Sequence, residues 1–133
     1  MTPFGNKLRQ LRQEKGITMA VMAKTLGVTS AYLSQLETGK KGQPSAVMVD
    51  RICAMLGLIW DDAEALKDLA RLSKPRAVID TSTLGAEATR AANLMAEVLP
   101  RVDEDEAKLM AEWLNERRQT CKAPLNYHHF SIL

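Results

Sequence analysis

Residues 23–40, AKTLGVTSAYLSQLETGK, are too regular for a loop and too interrupted for one helix, and they constrain this chain more than any other stretch. Counting from Met19, a small residue, Ala23, stands fifth, where two helices can approach closely. Gly27 stands ninth, where the backbone can turn with positive φ. Met22, Leu26, Val28, Leu33 and Leu36 fill the fourth, eighth, tenth, fifteenth and eighteenth positions, where apolar side chains lock the angle between the helices. The pattern predicts two short helices crossing at a glycine turn. Thr18 caps the first, and Thr29 or Ser30 caps the second.

The flanking sequence supplies more short helices and little strand signal. Phe4, Leu8 and Leu11 make one apolar stripe, and Gly16 stops that helix. Pro44-Ser45 opens another, with Val49, Ile52, Cys53 and Leu56 inward and Gly57 at its end. A fifth helix runs from Asp61 or Asp62 to Leu72, with carboxylates at the positive end of its dipole. Beyond Pro75, the stretch 76–82 (RAVIDTS) is the one candidate strand, because Val78 and Ile79 are β-branched. A lone strand must pair with another subunit or lie as an extended connector. A helix over 86–99 and a last one to about Gln119, started by a capping box of Asp103 and Glu106, complete the pattern. The tail 121–133 has no period and is either ragged or docked on a neighbour.

Length and charge narrow the function classes. The 133 residues, 46% of them hydrophobic, make one domain or two very small ones. No apolar run is long enough to span a bilayer and the first residues lack a signal-peptide block, so the expectation is a cytoplasmic chain with no membrane role. Cys53 and Cys121 have no metal-ligand spacing around them, His128-His129 reads as tail, and Asp103-Glu-Asp-Glu106 reads as helix-start carboxylates, so no metal and no cofactor are expected. No nucleophile/base constellation or convergent carboxylate pair can be placed, so the chain does not read as an enzyme. The net charge of +2 hides an asymmetry: residues 1–60 carry eight Lys/Arg against three acids, which leaves +5 there and −3 in the remainder. A basic half joined to an acidic half suggests that the first meets a polyanion.

Residues 19–38 match the helix-turn-helix pattern. With LRQLRQEKGIT before it and PSAVMVDRICAMLGL after it, the chain resembles the Cro/C1-type (XRE) helix-turn-helix regulators over roughly residues 4–72. The resemblance implies an all-α fold: a five-helix, lambda repressor-like DNA-binding domain over 1–73. A short strand or extended segment and two helices would then form a dimerisation region over 74–120. It further implies that the helix from Thr29 to Thr38 enters the major groove of double-stranded DNA. Ser30, Ala31, Ser34 and Gln35 are the candidate base readers, with Gln35 able to bond adenine in a bidentate way and Ala31 able to offer only a methyl contact to thymine. Phosphate contacts fall to Thr18, Met19, Thr29, Lys40, Lys41 and Gln43, and Tyr32 either reaches a phosphate or packs on the loop. Many relatives carry Gln where this chain has Met19, so backbone N–H groups must serve there. Arg12 and Glu37 match a pair that forms an internal salt bridge in parts of the family.

One small reading head contacts few base pairs, so useful specificity calls for two heads at fixed spacing. The expected homodimer interface uses Val78, Ile79, Leu94, Val98, Met110, Trp113 and Leu114. The bland alternative folds the last helices back on the first half. The leading function is a homodimeric repressor on an inverted repeat. The alternative is an antitoxin or other partner-binding module that regulates its own operon, with an unknown protein partner.

Overall fold

The computed structural model describes residues 1–40 and 43–132, with side chains as far as Cys121. Seven helices make up the described chain: α1 (Pro3–Glu14), α2 (Met19–Leu26), α3 (Ser30–Thr38), α4 (Ala46–Leu56), α5 (Trp60–Arg71), α6 (Ala86–Val98) and α7 (Glu104–Ile132). They fall into two compact units that divide between Val78 and Ile79.

The first unit holds α1 to α5. Hydroxyls start four of these helices: Thr2, Thr18, Thr29 and Ser45 each accept a bond from a backbone N–H in the first turn. Each such cap is worth about 1 kcal/mol relative to alanine. Gly27, Gly39 and Gly57 end α2, α3 and α4 in the left-handed conformation, where a Cβ would be strained. The helices then bury one stripe each. Phe4, Leu8, Met22, Leu26, Leu33, Leu36, Ile52 and Leu66 are all but inaccessible to solvent and form one core. At about 1.5–3 kcal/mol for each fully buried large side chain, this cluster holds the unit together. α1 packs against α3 and α5, α2 against α3 and α4, and α4 against α5. The fifth helix starts at Trp60, one residue before the predicted aspartates, and Ile59 caps it without a side-chain bond.

Two contacts tie α1 to later parts of this unit. Ser73, just past α5, accepts the Phe4 backbone N–H at 2.9 Å and donates to the Leu69 carbonyl at 2.6 Å. Gly5 lies so close to α3 that a Cβ there would overlap the Glu37 carbonyl oxygen.

The second unit is a pair of helices, α6 and α7. No residue of it is buried among those whose side chains are described. The Asp103 carboxylate accepts the Glu106 N–H at 2.8 Å, as the capping pattern predicts. Two expectations are corrected here. Of the strand or extended segment expected over 76–82, the strand does not form among the described residues: the run from Val78 is irregular and then turns, because Asp80 Oδ1 accepts the Ser82 N–H at 2.9 Å and no second strand is present to pair with it. Hydrogen bonding from the Ser82 side chain first, and from this backbone N–H second, holds the Asp80 carboxyl below its ordinary value. The predicted break near Gln119 is absent as well, and α7 continues through Ile132. The segment contains no glycine, and Pro124 alone lacks a backbone donor in it.

Candidate nucleic-acid interface

The candidate interface is built around the α2–α3 turn. Gly27 adopts φ 71° there, the positive value that the sequence pattern requires. Its N–H bonds back to the Lys24 carbonyl at 3.2 Å, and the Val28 N–H bonds to the Ala23 carbonyl at 3.0 Å. Two carbonyls at the end of α2 are thereby satisfied. A third, that of Leu26, accepts a guanidinium bond from Arg51 on α4. Thr29 then restarts the chain by accepting the Tyr32 N–H at 3.0 Å.

α3 has two distinct faces. Leu33, Leu36 and Glu37 are buried, whereas Ser30, Ala31, Ser34 and Thr38 are exposed and Gln35 is half-buried. The Thr38 hydroxyl is occupied by the Ser34 and Gln35 carbonyls at 3.0 and 3.3 Å. Tyr32 packs its ring on the core and is half-buried, as is Met19. Thr18 is exposed, with its hydroxyl accepting the Val21 N–H at 3.2 Å. Lys40 and Gln43 are exposed past the end of α3, while Lys41 and Gly42 lie outside the described residues.

The buried face of α3 is held by charge as well as by packing. Glu37 is 1% exposed and faces two guanidinium groups, Arg12 Nε at 3.2 Å and Arg9 Nε at 3.4 Å. Arg12 also donates to the Ile17 carbonyl at 3.3 Å, which joins α1, the α1–α2 loop and α3. The expected Arg12–Glu37 pair is therefore present. Sequence reading missed Arg9, although its three-residue spacing from Arg12 puts both on one helix face. It missed Arg51 and Ser73 too, because nothing local in the sequence links them to Leu26 or Phe4.

The remaining sites predicted from sequence are on the second unit or at its border. Val78 and Ile79 are 84% and 57% exposed. On α6 and α7, Leu94, Val98, Trp113 and Leu114 are exposed and Met110 is half-buried. Met95, Leu109, Met110, Trp113 and Leu114 line an open apolar groove of ≈ 350 Å³. Arg117 lies over the Trp113 ring, 5.1 Å from its centre.

Residues 3–73 match the family described as "Helix-turn-helix domain", which covers more than half of the chain. The chain belongs to the helix-turn-helix family. The match spans α1 to α5. Among curated proteins, an HTH-type transcriptional regulator of Bacillus subtilis (strain 168), RghRB, is 34% identical over 65 residues, covering 49% of this chain and 47% of that protein. The HTH-type transcriptional repressor RghR of the same organism is 33% identical over 61 residues, 46% of this chain and 45% of the relative. The regulator SinR, also of that organism, is 33% identical over 53 residues, 40% of this chain and 48% of its own. The chain thus spans about half the length of the curated relatives it matches. The family match ends at residue 73, before α6 and α7, so these two helices need an account of their own.

Proposed function

We propose that this chain is a sequence-specific DNA-binding transcriptional regulator, a homodimeric repressor that sets α3 into the major groove at each half of an inverted repeat. The observation that carries the reading is the two-faced α3. Its inner face is fixed by Leu33, Leu36 and the Glu37 ion pairs, and its outer face offers short side chains to a partner. Short side chains let the helix backbone approach base edges closely. Ser30, Ala31, Ser34 and Gln35 read bases on this account, Gln35 through a bidentate amide–adenine pair. Thr18, Met19 and Thr29 present helix-start N–H groups to phosphate, and Lys40, Lys41, Gln43 and the Tyr32 hydroxyl add contacts. Family membership supports DNA binding, and the repressor RghR among the relatives supports the direction of regulation.

The second unit supports the homodimer. Two helices with no buried side chain among those described cannot hold themselves together by burial, and their apolar stripe around Leu94, Val98, Met110, Trp113 and Leu114 needs a cover. A second copy supplies it and sets two heads about one helical turn of DNA apart, ~34–36 Å. The same stripe fits the second reading, in which a different small protein covers it and the head regulates its own operon.

Selection from random DNA followed by a mobility-shift titration tests the assignment. The expected result is an inverted repeat bound at nanomolar protein, with affinity falling steeply as salt is added. Equal affinity for all sequences refutes specific reading. Sedimentation equilibrium tests the dimer: a monomer at high micromolar concentration refutes it, and copurification of a second small protein with that monomer favours the alternative.

A further inference from the structure

Of the four carbonyls at the end of α2, those of Ala23 and Lys24 are taken by the Val28 and Gly27 N–H groups. The Leu26 carbonyl belongs to the peptide that leads directly into Gly27, the residue whose torsions set the direction of α3. The side chain that holds this carbonyl comes from α4, 25 residues further along the chain. A Cβ placed on Gly27 would lie 3.6 Å from the same Arg51 nitrogen, so the guanidinium sits over the turn itself. A cation at a helix C-terminus also opposes the negative end of the α2 dipole.

We propose that Arg51 is a positioning residue for DNA reading: it clamps the Leu26–Gly27 peptide and so fixes the angle at which α3 leaves the turn. This rests on the reading of α3 as the base-reading helix. The leverage is large. The nine residues of α3 make it roughly 13 Å long, so a 10° swing at the turn displaces its far end by about 2 Å. Productive recognition needs side chains held to within roughly 0.5 Å. The core side chains Leu33 and Leu36 grip the middle and end of α3, whereas Arg51 grips the turn from which it starts. No other side-chain bond to that turn is made from outside the α2–α3 segment among the described residues. Arg51 thus acts on sequence discrimination without touching a base.

The test compares the full chain with Arg51→Met, which keeps an unbranched stem and loses the donors, and with Arg51→Lys, which keeps one donor and the charge. Affinities are measured for the sequence that the unaltered chain selects from random DNA and for a scrambled duplex, each across a salt series. Arg51→Met is expected to lower the ratio of specific to scrambled affinity about tenfold. Scrambled affinity and the slope of log affinity against log salt should stay unchanged, and Arg51→Lys should recover part of the ratio. An equal loss on both duplexes, with the salt slope reduced by about one, would show a phosphate contact and overturn the proposal. An unchanged ratio overturns it as well, including when the melting temperature falls, since that leaves Arg51 a purely structural role. If the unaltered chain selects no sequence, the assignment of α3 falls and this inference with it. If it does select one, the Arg51 variants decide the inference alone.

Discussion

Gly5→Ala offers the sharpest test of how α3 is held, because two known effects oppose each other. Alanine in a helix interior gains about 0.5–1 kcal/mol over glycine through backbone entropy, an upper bound for Gly5 in the first turn of α1. At this position, however, the new methyl would overlap the Glu37 carbonyl oxygen and lie 2.6 Å from its carbonyl carbon and 2.9 Å from its Cα. Ordinary carbon–carbon contacts begin near 3.5 Å, and the overlap with the oxygen is larger still, so α1 and α3 must separate by more than about 1 Å. The obstacle is backbone, which cannot rotate away as a side-chain end can. Overpacking costs about 1–3 kcal/mol, and a backbone obstacle places this case at the upper end. The net expectation is a loss of about 2 kcal/mol after the alanine gain is subtracted, or roughly 8–16 °C in melting temperature for a unit of this size. Separation of α1 from α3 also stretches both Arg–Glu37 ion pairs, so sequence discrimination should fall along with stability. Urea titration followed by circular dichroism measures the first, and mobility shift the second. If Gly5→Ala melts at or above the unaltered chain, helix propensity outweighs the close approach, and the account of α1–α3 packing is wrong.

Three further substitutions and one labelling experiment probe other contacts. Ser73→Ala leaves the buried Phe4 N–H without its acceptor and should cost about 1–3 kcal/mol, with faster hydrogen exchange at the Phe4 amide. Arg12→Gln should destabilise more than Arg9→Gln in parallel denaturant titrations, because the Arg12 side chain is 15% exposed and Arg9 47%, and water screens the more exposed pair. The Cys53 thiol is pushed above its ordinary 9.0 first by burial, with Asp50 and Glu64 adding to the rise and Lys67 opposing it. A raised acid favours the folded chain while protonated, so this contribution is complete below pH 9.0 and is lost as pH climbs through the folded value. A thiol reagent near pH 8 should accordingly modify the exposed Cys121 quickly and Cys53 only on unfolding. Two fast thiols in the native chain would contradict the buried position of Cys53.

The stops of α1 to α4 and the caps of α2 to α4 were legible because each depends on one residue type at one place, whereas the Thr2 cap of α1 was missed. Gly27 needs positive φ, Thr18 and Thr29 need a hydroxyl, and the apolar spacing from Met22 to Leu36 needs only a helical period. The Arg12–Glu37 pair came from family resemblance instead. The contacts that cross the unit were not legible: Ser73 to Phe4, Arg51 to Leu26 and the Gly5 approach to Glu37 join positions 69, 25 and 32 residues apart. No local pattern encodes such pairs. The predicted strand failed for a related reason. Val78 and Ile79 have strand propensity, but a strand exists only with a partner, and the Asp80–Ser82 turn uses the local bonds first. The run-on of α7 past Gln119 was hidden by a segment of mixed polarity with no hydrophobic period.

The composition of the α3 outer face bears on why the second unit should exist. On the proposed reading, one head offers a single side chain capable of a bidentate base contact, Gln35, beside Ser30, Ala31 and Ser34. A bidentate pair discriminates by about 1–3 kcal/mol, and methyl or hydroxyl contacts add less. One head therefore separates its site from random DNA by roughly one to three powers of ten, which at most reaches the lower limit of the range of about 10³–10⁷ that specific binders cover. Longer base-reading side chains on α3 could raise that figure within one head, but its exposed positions are short. Two heads held rigidly together instead add their discrimination energies, which squares the ratio. On that reading the head works in pairs, and α6 and α7, with an apolar stripe that no described part of their own unit buries, offer a surface for the pairing.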